Sequence, residues 1–523
     1  MKIGDKEVQI TDCSLRDGGY YTNWDFPNIM VEKYLKSMNA LPIDYVEIGY
    51  RSRDVAGYHG EYNYLPKSVL RKCKQYCPDK KLAFMINLKE VDEESVESLL
   101  VSVSDYIAIV RLATRPEDVP KAIKIARIIK SKGLEVAINI MYLSQWIEEV
   151  PFAPYFKGEE KIIDYVVMVD SYGSVFPHQI GRAVDQLRAH YKGKLGFHGH
   201  NNLELAFANT LSAISAGVDA VDATISGMGR GAGNLRMELL LTYLAKHDST
   251  ISLNVLMDTL EDFEKLRKEY QWGTNLPYMI SGCNALPQKD IMEWITMKRY
   301  STSSIVQRLQ AHIQPNEIES RNHPRLDLIE REKTSLMIGG GNSVKEHLEA
   351  IIELVRRNAT NVRLIFSSTK HLYLFDDVPS EVERYIYLVG IEGKRLEQQL
   401  SSLRPSDKII VANQALPMET YIPESVQSQV YTIPTETQNE MEGRYIESPL
   451  YMSIKISLYL KAYKMYLVGY DGYDYDAKGN MYNLMEENQA VIDYYSRTYD
   501  MCSLFPSKYH HLREQSIYSF LEL

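Results

Sequence analysis

Residues 106–142 read YIAIVRLATRPEDVPKAIKIARIIKSKGLEVAINIMY, and their pattern settles the class of fold. YIAIVRL (106–112) is a short apolar run of strand type. In PEDVPKAIKIARIIKSKG the apolar residues recur at helical spacing, with a proline in an early turn and a glycine at the end. LEVAINIMY (134–142) is a second apolar run. Two strands joined through a helix lie parallel, and near-continuous apolar strands have both faces covered.

The unit recurs. Strands are expected at VQITD (8–12), DYVEIG (44–49), KLAFMIN (81–87), IIDYVVMVD (162–170), KLGFHGH (194–200) and AVDATI (220–225), each followed by a helical pattern. With the two above they make eight, which describes a closed (β/α)8 TIM barrel over residues 1–252 better than a doubly wound open sheet. Residues 253–325 change character. LMDTLEDFEKLRKEY and DIMEWITMKR are helical by pattern with no strand between them, so a helical extension is expected, ending in the polar linker IQPNEIESRNHPRLD. Alternation resumes over 326–523 with TSLMIGGGNSVKEHLEAIIELVRRN, RLIFSS, RYIYLVGI, KIIVANQ and KMYLVGYDG, a Rossmann-like α/β domain.

A chain of 523 residues, 45% hydrophobic and 24% charged, has room for two or three domains. Its net charge of −10, without a block of lysine or arginine, argues against nucleic acid or an anionic membrane as partner. The start MKIGDKEVQI lacks the apolar segment of a signal peptide, and no run approaches a membrane span. Five cysteines are too few for a disulfide framework, and Cys73 and Cys77, spaced i,i+4, read as reduced thiols. The cytoplasm is the expected compartment.

In such a barrel the chemistry sits at the C-terminal strand ends. Those ends present Arg16 and Asp17, Glu47, Asn87, Arg111, Asn139, Asp170, His198 and His200, and after the eighth strand the turn SGMGRGAGN closing on Asn234. Stability alone would favour apolar or small residues there. Residues i and i+2 of a strand face one way, so His198 and His200 of FHGHN point together. With a carboxylate, for which Asp17 is the candidate, they make a divalent-metal site with open positions.

DCSLRDGG, FHGHN and GMGRGAGN, in this order, resemble the motifs of the HMG-CoA lyase-like (DRE-TIM) group of metal-dependent barrel lyases and synthases. That group includes 4-hydroxy-2-oxovalerate aldolase, isopropylmalate synthase and HMG-CoA lyase. YQWGTNLPYMISG (270–282) is similar to the helical segment that follows the barrel in the aldolases. The resemblance implies that Asp17, His198 and His200 bind a divalent cation, manganese or magnesium, that Asn234 ligates or backs it, and that Arg16 stabilises an enolate. Asp170 matches an acidic strand end common in the group, and homo-oligomers are usual there. The implied reaction forms or cleaves a C–C bond through the enolate of a pyruvate-type 2-oxo acid, for which a sugar-like aldehyde is one candidate partner. A 2-oxo acid chelating the metal through carboxylate and keto oxygens would have its enolate lowered in energy, and a fixed guanidinium would add to this. Glu47, Arg111, Asn139 and Asp170 are then expected to line the substrate site, and Gly18 and Gly19 to let backbone approach the substrate.

One departure matters. The aldolases keep a catalytic histidine two residues after RDG, where this chain has Tyr20. Candidates for the base are Tyr20, Tyr21 and His59; Tyr20 could equally line the pocket. An acyl-CoA-dependent Claisen-type synthase is the second reading, and a non-catalytic barrel serving the C-terminal domain as scaffold or ligand-binding partner the third. In that domain Gly340, Gly341, Asn342 and Ser343 stand between a strand and a helix, where a sugar phosphate or nucleotide-sugar would bind.

Overall fold

The computed structural model describes residues 2–3, 6–246, 248–313, 323–327, 332–412, 420–434, 445, 447–473 and 480–521. They form two compact units, Met1–Met292 and Glu293–Leu523.

The first unit is a closed, all-parallel eight-stranded barrel. Its strands are β1 (Gln9–Asp12), β2 (Tyr45–Tyr50), β3 (Lys81–Asn87), β4 (Ile109–Thr114), β5 (Glu135–Ile140), β6 (Tyr165–Asp170), β7 (Lys194–Gly199) and β8 (Ala220–Ala223). Closure comes where β8 pairs with β1, from Ala220 beside Gln9 to Ala223 beside Asp12. β4 begins three residues later than its apolar run suggested. Tyr106 and Ile107 belong to a turn hydrogen-bonded back to Val103, and Ile107 is buried there without pairing in the sheet. Burial and strand pairing leave the same mark on a sequence. The quoted helix starts as a 3-10 turn at Pro116–Asp118, continues over Val119–Ser131 and stops before Gly133, whose φ is +79°. Six of its apolar side chains are buried, at the positions its spacing marked.

The barrel's inner floor is built from Tyr45, Ala83, Ile109, Ala137, Tyr165, Val167 and Ala220. Ala83, Ala137 and Ala220 among them, with Gly196, leave a cavity that Arg111 and Asp222 also line. Helices Met257–Tyr270 and Leu276–Cys283 follow the barrel. They matter for the site because Trp272 donates its indole N–H to the Ser226 carbonyl at 3.1 Å and so braces the loop after β8.

The second unit carries an all-parallel eight-stranded sheet. Its strands are β9 (Lys333–Ile338), β10 (Val362–Phe366), β11 (Glu383–Tyr387), β12 (Lys408–Val411), β13 (Val430–Thr432), β14 (Ala462–Val468), β15 (Met501–Ser503) and β16 (Arg513–Glu514). Their spatial order is 13-12-11-10-9-14-15-16, so strand order reverses between β9 and β14. This is a Rossmann-like arrangement. The strands missed in the sequence, β13, β15 and β16, have three residues or fewer, too short for periodicity to register. Asn413 and Gln414 of KIIVANQ, and much of the linker, lie outside the described residues. Among the described residues no helix is long and apolar enough to cross a membrane.

Candidate metal centre

The site grows from the end of β1. Asp12 accepts from the amide and the hydroxyl of Ser14, at 2.9 and 3.1 Å, and so turns the chain directly into helix α1 (Ser14–Thr22). Arg16 and Asp17 therefore stand in the first turns of a helix, one step beyond the strand end expected for them. The two glycines after them serve packing. A Cβ on Gly18 would lie 2.6 Å from the sulfur of Met228, and one on Gly19 would lie 2.1 Å from the indole of Trp24. The space expected for substrate is filled by these two side chains, and Trp24 donates to the Arg16 carbonyl at 2.9 Å.

Arg16 and Asp17 are ion-paired, and Arg16 Nε also meets Glu47 Oε2 at 2.8 Å. Glu47 Oε2 in turn meets Arg111 Nη1 at 3.2 Å, and Arg111 Nη2 is paired with Asp222. Asp222 Oδ2 lies 2.9 Å from His198 Nδ1, and His198 Nε2 lies 3.6 Å from Asp17 Oδ2. The six residues thus close a ring, and all are buried. It sets three carboxylates, two guanidiniums and one imidazole away from water, so the carboxylates outnumber the arginines. Burial works against ionising Asp222 and Asp17. Arg111 and His198 outweigh it at Asp222, and Arg16, His198, His200 and Asn234 outweigh it at Asp17, so both carboxyls stay below the usual range. A buried, ionised cluster whose carboxylates outnumber its arginines has room in its charge balance for a further cation.

The donor atoms agree. His198 Nδ1 is fixed by Asp222, and His200 Nδ1 donates to the Asp170 carbonyl at 2.9 Å. Each imidazole thereby keeps Nε2 as its ligand atom, the way metal-binding histidines are usually oriented. Burial pushes His200 down to about 3, which keeps it neutral. Asn234 donates Nδ2 to Asp17 Oδ2 at 2.7 Å, while its Oδ1 is buried without a hydrogen-bond partner. Cys13, which sequence reasoning passed over, places its sulfur with ligand atoms of Asp17 and His198 inside 4.8 Å. Burial pushes that thiol well up, and Asp17 adds to the effect, so Cys13 stands as a neutral neighbour. Aspartate, two histidines oriented through Nδ1 and an asparagine oxygen fit a divalent cation.

Of the residues expected to line a substrate site, Glu47 and Arg111 are members of the ring, and Asn139 accepts from Arg111 Nε at 3.3 Å. The Asp170 carboxylate accepts from the amides of Ser174 and Val175 in its own loop, and burial pushes it up to about 6. Tyr20 reaches the mouth, where its hydroxyl lies 2.8 Å from that of Tyr50. Tyr21 instead turns to the loop after β8 and donates to the Gly231 carbonyl at 3.3 Å. His59 packs beside Trp24, ring centres 5.9 Å apart, and no hydrogen bond among the described residues joins it to the ring. Asp222 was missed, although one signal announced it: an acid inside the apolar strand AVDATI needs a buried cationic partner. Gly340, Gly341, Asn342 and Ser343 lie in the other unit, after β9. There Gly341 N–H donates to the Gly469 carbonyl at 2.8 Å, and the Ser343 amide and hydroxyl both donate to Asp471.

Comparison with known proteins covers the first unit. The HMGL-like family profile matches residues 7–268. An oxaloacetate decarboxylase of Mycobacterium tuberculosis is 30% identical over 54% of this chain and 83% of its own length. A 4-hydroxy-2-oxovalerate aldolase of Carboxydothermus hydrogenoformans is 29% identical over 49% of this chain and 77% of its own. Among solved structures, the N-terminal domain of a presumed aldolase from Bacteroides vulgatus is 46% identical, with a TM-score of 0.54, over 57% of this chain and 99% of that one. The profile, these relatives and the cluster at the barrel mouth agree: this chain belongs to the HMGL-like family.

Proposed function

We propose that the barrel is a divalent-metal-dependent lyase that makes or breaks the C–C bond at the carbon next to the oxo group of a 2-oxo acid, with an aldehyde as the other partner. The observation that carries this reading is the buried ring whose carboxylates outnumber its arginines, with the His198 and His200 imidazoles both fixed through Nδ1. Its membership in the HMGL-like family, and relatives named as an aldolase and a decarboxylase, support it. Manganese or magnesium suits oxygen and neutral nitrogen donors. Bound there, the cation supplies Lewis acidity to a chelating 2-oxo acid.

The chain's own groups do the rest. Asp17, His198, His200 and Asn234 hold the cation. Asp222 orients His198, and the Asp170 carbonyl orients His200. Arg16 spends Nε on Glu47 and Nη1 on Asp17, and among the described residues its Nη2 makes no hydrogen bond. That leaves a fixed donor for an oxygen on which negative charge develops. Tyr20 orients the substrate, and Trp24 and Met228 close the floor behind α1.

Manganese-loaded protein given pyruvate in deuterated water is expected to exchange the methyl protons, read by proton NMR. Tyr20→Phe is expected to raise KM several-fold and leave the exchange rate at saturation nearly unchanged, whereas loss of about a hundredfold in rate would make Tyr20 the base. No exchange, with or without aldehydes, would sink the reading. Thiol release from an acyl-CoA in its place would move it to a Claisen-type synthase, and silence in both assays to a non-catalytic barrel.

For the second unit we propose a sugar-binding crevice, the sugar free or carried on a nucleotide, at the strand ends where order reverses between β9 and β14. Asp471 already occupies the Ser343 amide and hydroxyl. The crevice beside Gly340 and Gly341 therefore offers a carboxylate to sugar hydroxyls rather than an open cradle for phosphate. A rise in melting temperature with one member of a nucleotide-sugar and free-sugar panel is expected, and Asp471→Ala should abolish it. A flat response across the panel would refute the assignment.

A further inference from the structure

The acids at the barrel mouth all have partners. Asp17 is taken by Arg16 and Asn234, Glu47 by two arginines, Asp222 by Arg111 and His198, and Asp170 by amides of its own loop. Arg230, half-buried in the GMGRGAGN turn, stacks its guanidinium over the Tyr20 ring, 4.5 Å from the centroid, and among the described residues makes no ion pair.

It is nevertheless held in place. Tyr20 beneath it is anchored on Tyr50 through the hydroxyl pair. The loop is pinned on either side, by Tyr21 on the Gly231 carbonyl and by Trp272 on the Ser226 carbonyl. Gly231, at φ +60°, makes the turn that follows. Its would-be Cβ lies 1.9 Å from Gln288 Oε1, so the space there is already taken. Its chain neighbour Gly229 lies against the cluster, since a Cβ there would be 2.5 Å from Asn234 Nδ2. A guanidinium held on an aromatic face keeps its N–H edges for a carboxylate or phosphate and loses little freedom on binding one.

We propose that Arg230 is a specificity-determining residue that binds a second anionic group, carboxylate or phosphate, on the tail of the barrel's 2-oxo acid. The inference rests on the 2-oxo acid reading above, and it narrows the substrate class to dianionic oxo acids.

Calorimetric titration of the full-length, manganese-loaded protein tests it with two ligand pairs. 2-Oxopentanoate against 2-oxoglutarate adds a carboxylate, and 2-oxobutyrate against phosphonopyruvate adds a phosphonate. One dianion of the two is expected to bind about 10- to 100-fold more tightly than its singly charged partner, a gain typical of a hydrogen bond between charged groups. Which pair shows the gain identifies the group. Arg230→Ala should erase the gain and leave the singly charged acids unaffected, and Arg230→Lys should restore part of it. Equal affinities within both pairs, or equal losses on all four ligands in Arg230→Ala, would overturn the role of Arg230 while leaving the metal site standing. No binding of any of the four would remove the 2-oxo acid reading and this inference with it.

Discussion

Asp17→Asn is expected to weaken manganese binding at least about a hundredfold and to lower pyruvate proton exchange by about 10³-fold or more. Two effects act together. The substitution removes a unit of negative charge, and the ring then has no carboxylate beyond the two that its guanidiniums balance. Both Asp17 oxygens also accept hydrogen bonds, Oδ1 from Arg16 and Oδ2 from Asn234. An asparagine must present its NH₂ group to one of these donors, so the near-isosteric change sets donor against donor in a buried place. Manganese EPR reads the affinity independently of turnover. Affinity within threefold of wild type would mean that Asp17 does not hold the metal.

The second large effect concerns stability. Glu47 is fully buried and its Oε2 serves both Arg16 and Arg111. Glu47→Ala leaves two guanidiniums inside the barrel, each short of a carboxylate. Breaking a buried ion pair from one side costs about 3–5 kcal/mol. Urea unfolding of the full chain should show the barrel's transition moved to lower denaturant by an amount of that size, with Glu47→Gln intermediate. A change below about 1 kcal/mol would show that water or a rearranged Asp17 or Asp222 compensates the arginines.

Most of the architecture was legible because barrel strands are apolar on both faces and alternate with helices of clear period. Where β4 begins was not legible, since Tyr106 and Ile107 are apolar for burial in a turn. The short strands β13, β15 and β16 were lost because two or three residues carry no period. In the site, His198 and His200 could be read from their i,i+2 spacing. Asp222 and Cys13 could not be placed by spacing, because Asp222 meets Arg111 of β4 and His198 of β7 and Cys13 lies beside Ala223, contacts that reach some two hundred positions along the sequence. Gly18 and Gly19 were misread for a related reason. A glycine announces close approach but not by what, and here the visitors are Met228 and Trp24.

The closing seam has a consequence for assembly. Arg16 and Asp17 hang from the end of β1, Asp222 and Asn234 come from β8 and the loop after it, and His198 from β7, so the ring straddles the last pairing the barrel makes. A half-formed barrel has the residues but no site. A cation bound there would act as a clasp across the seam, favouring only the closed barrel, and its occupancy would report that closure is complete.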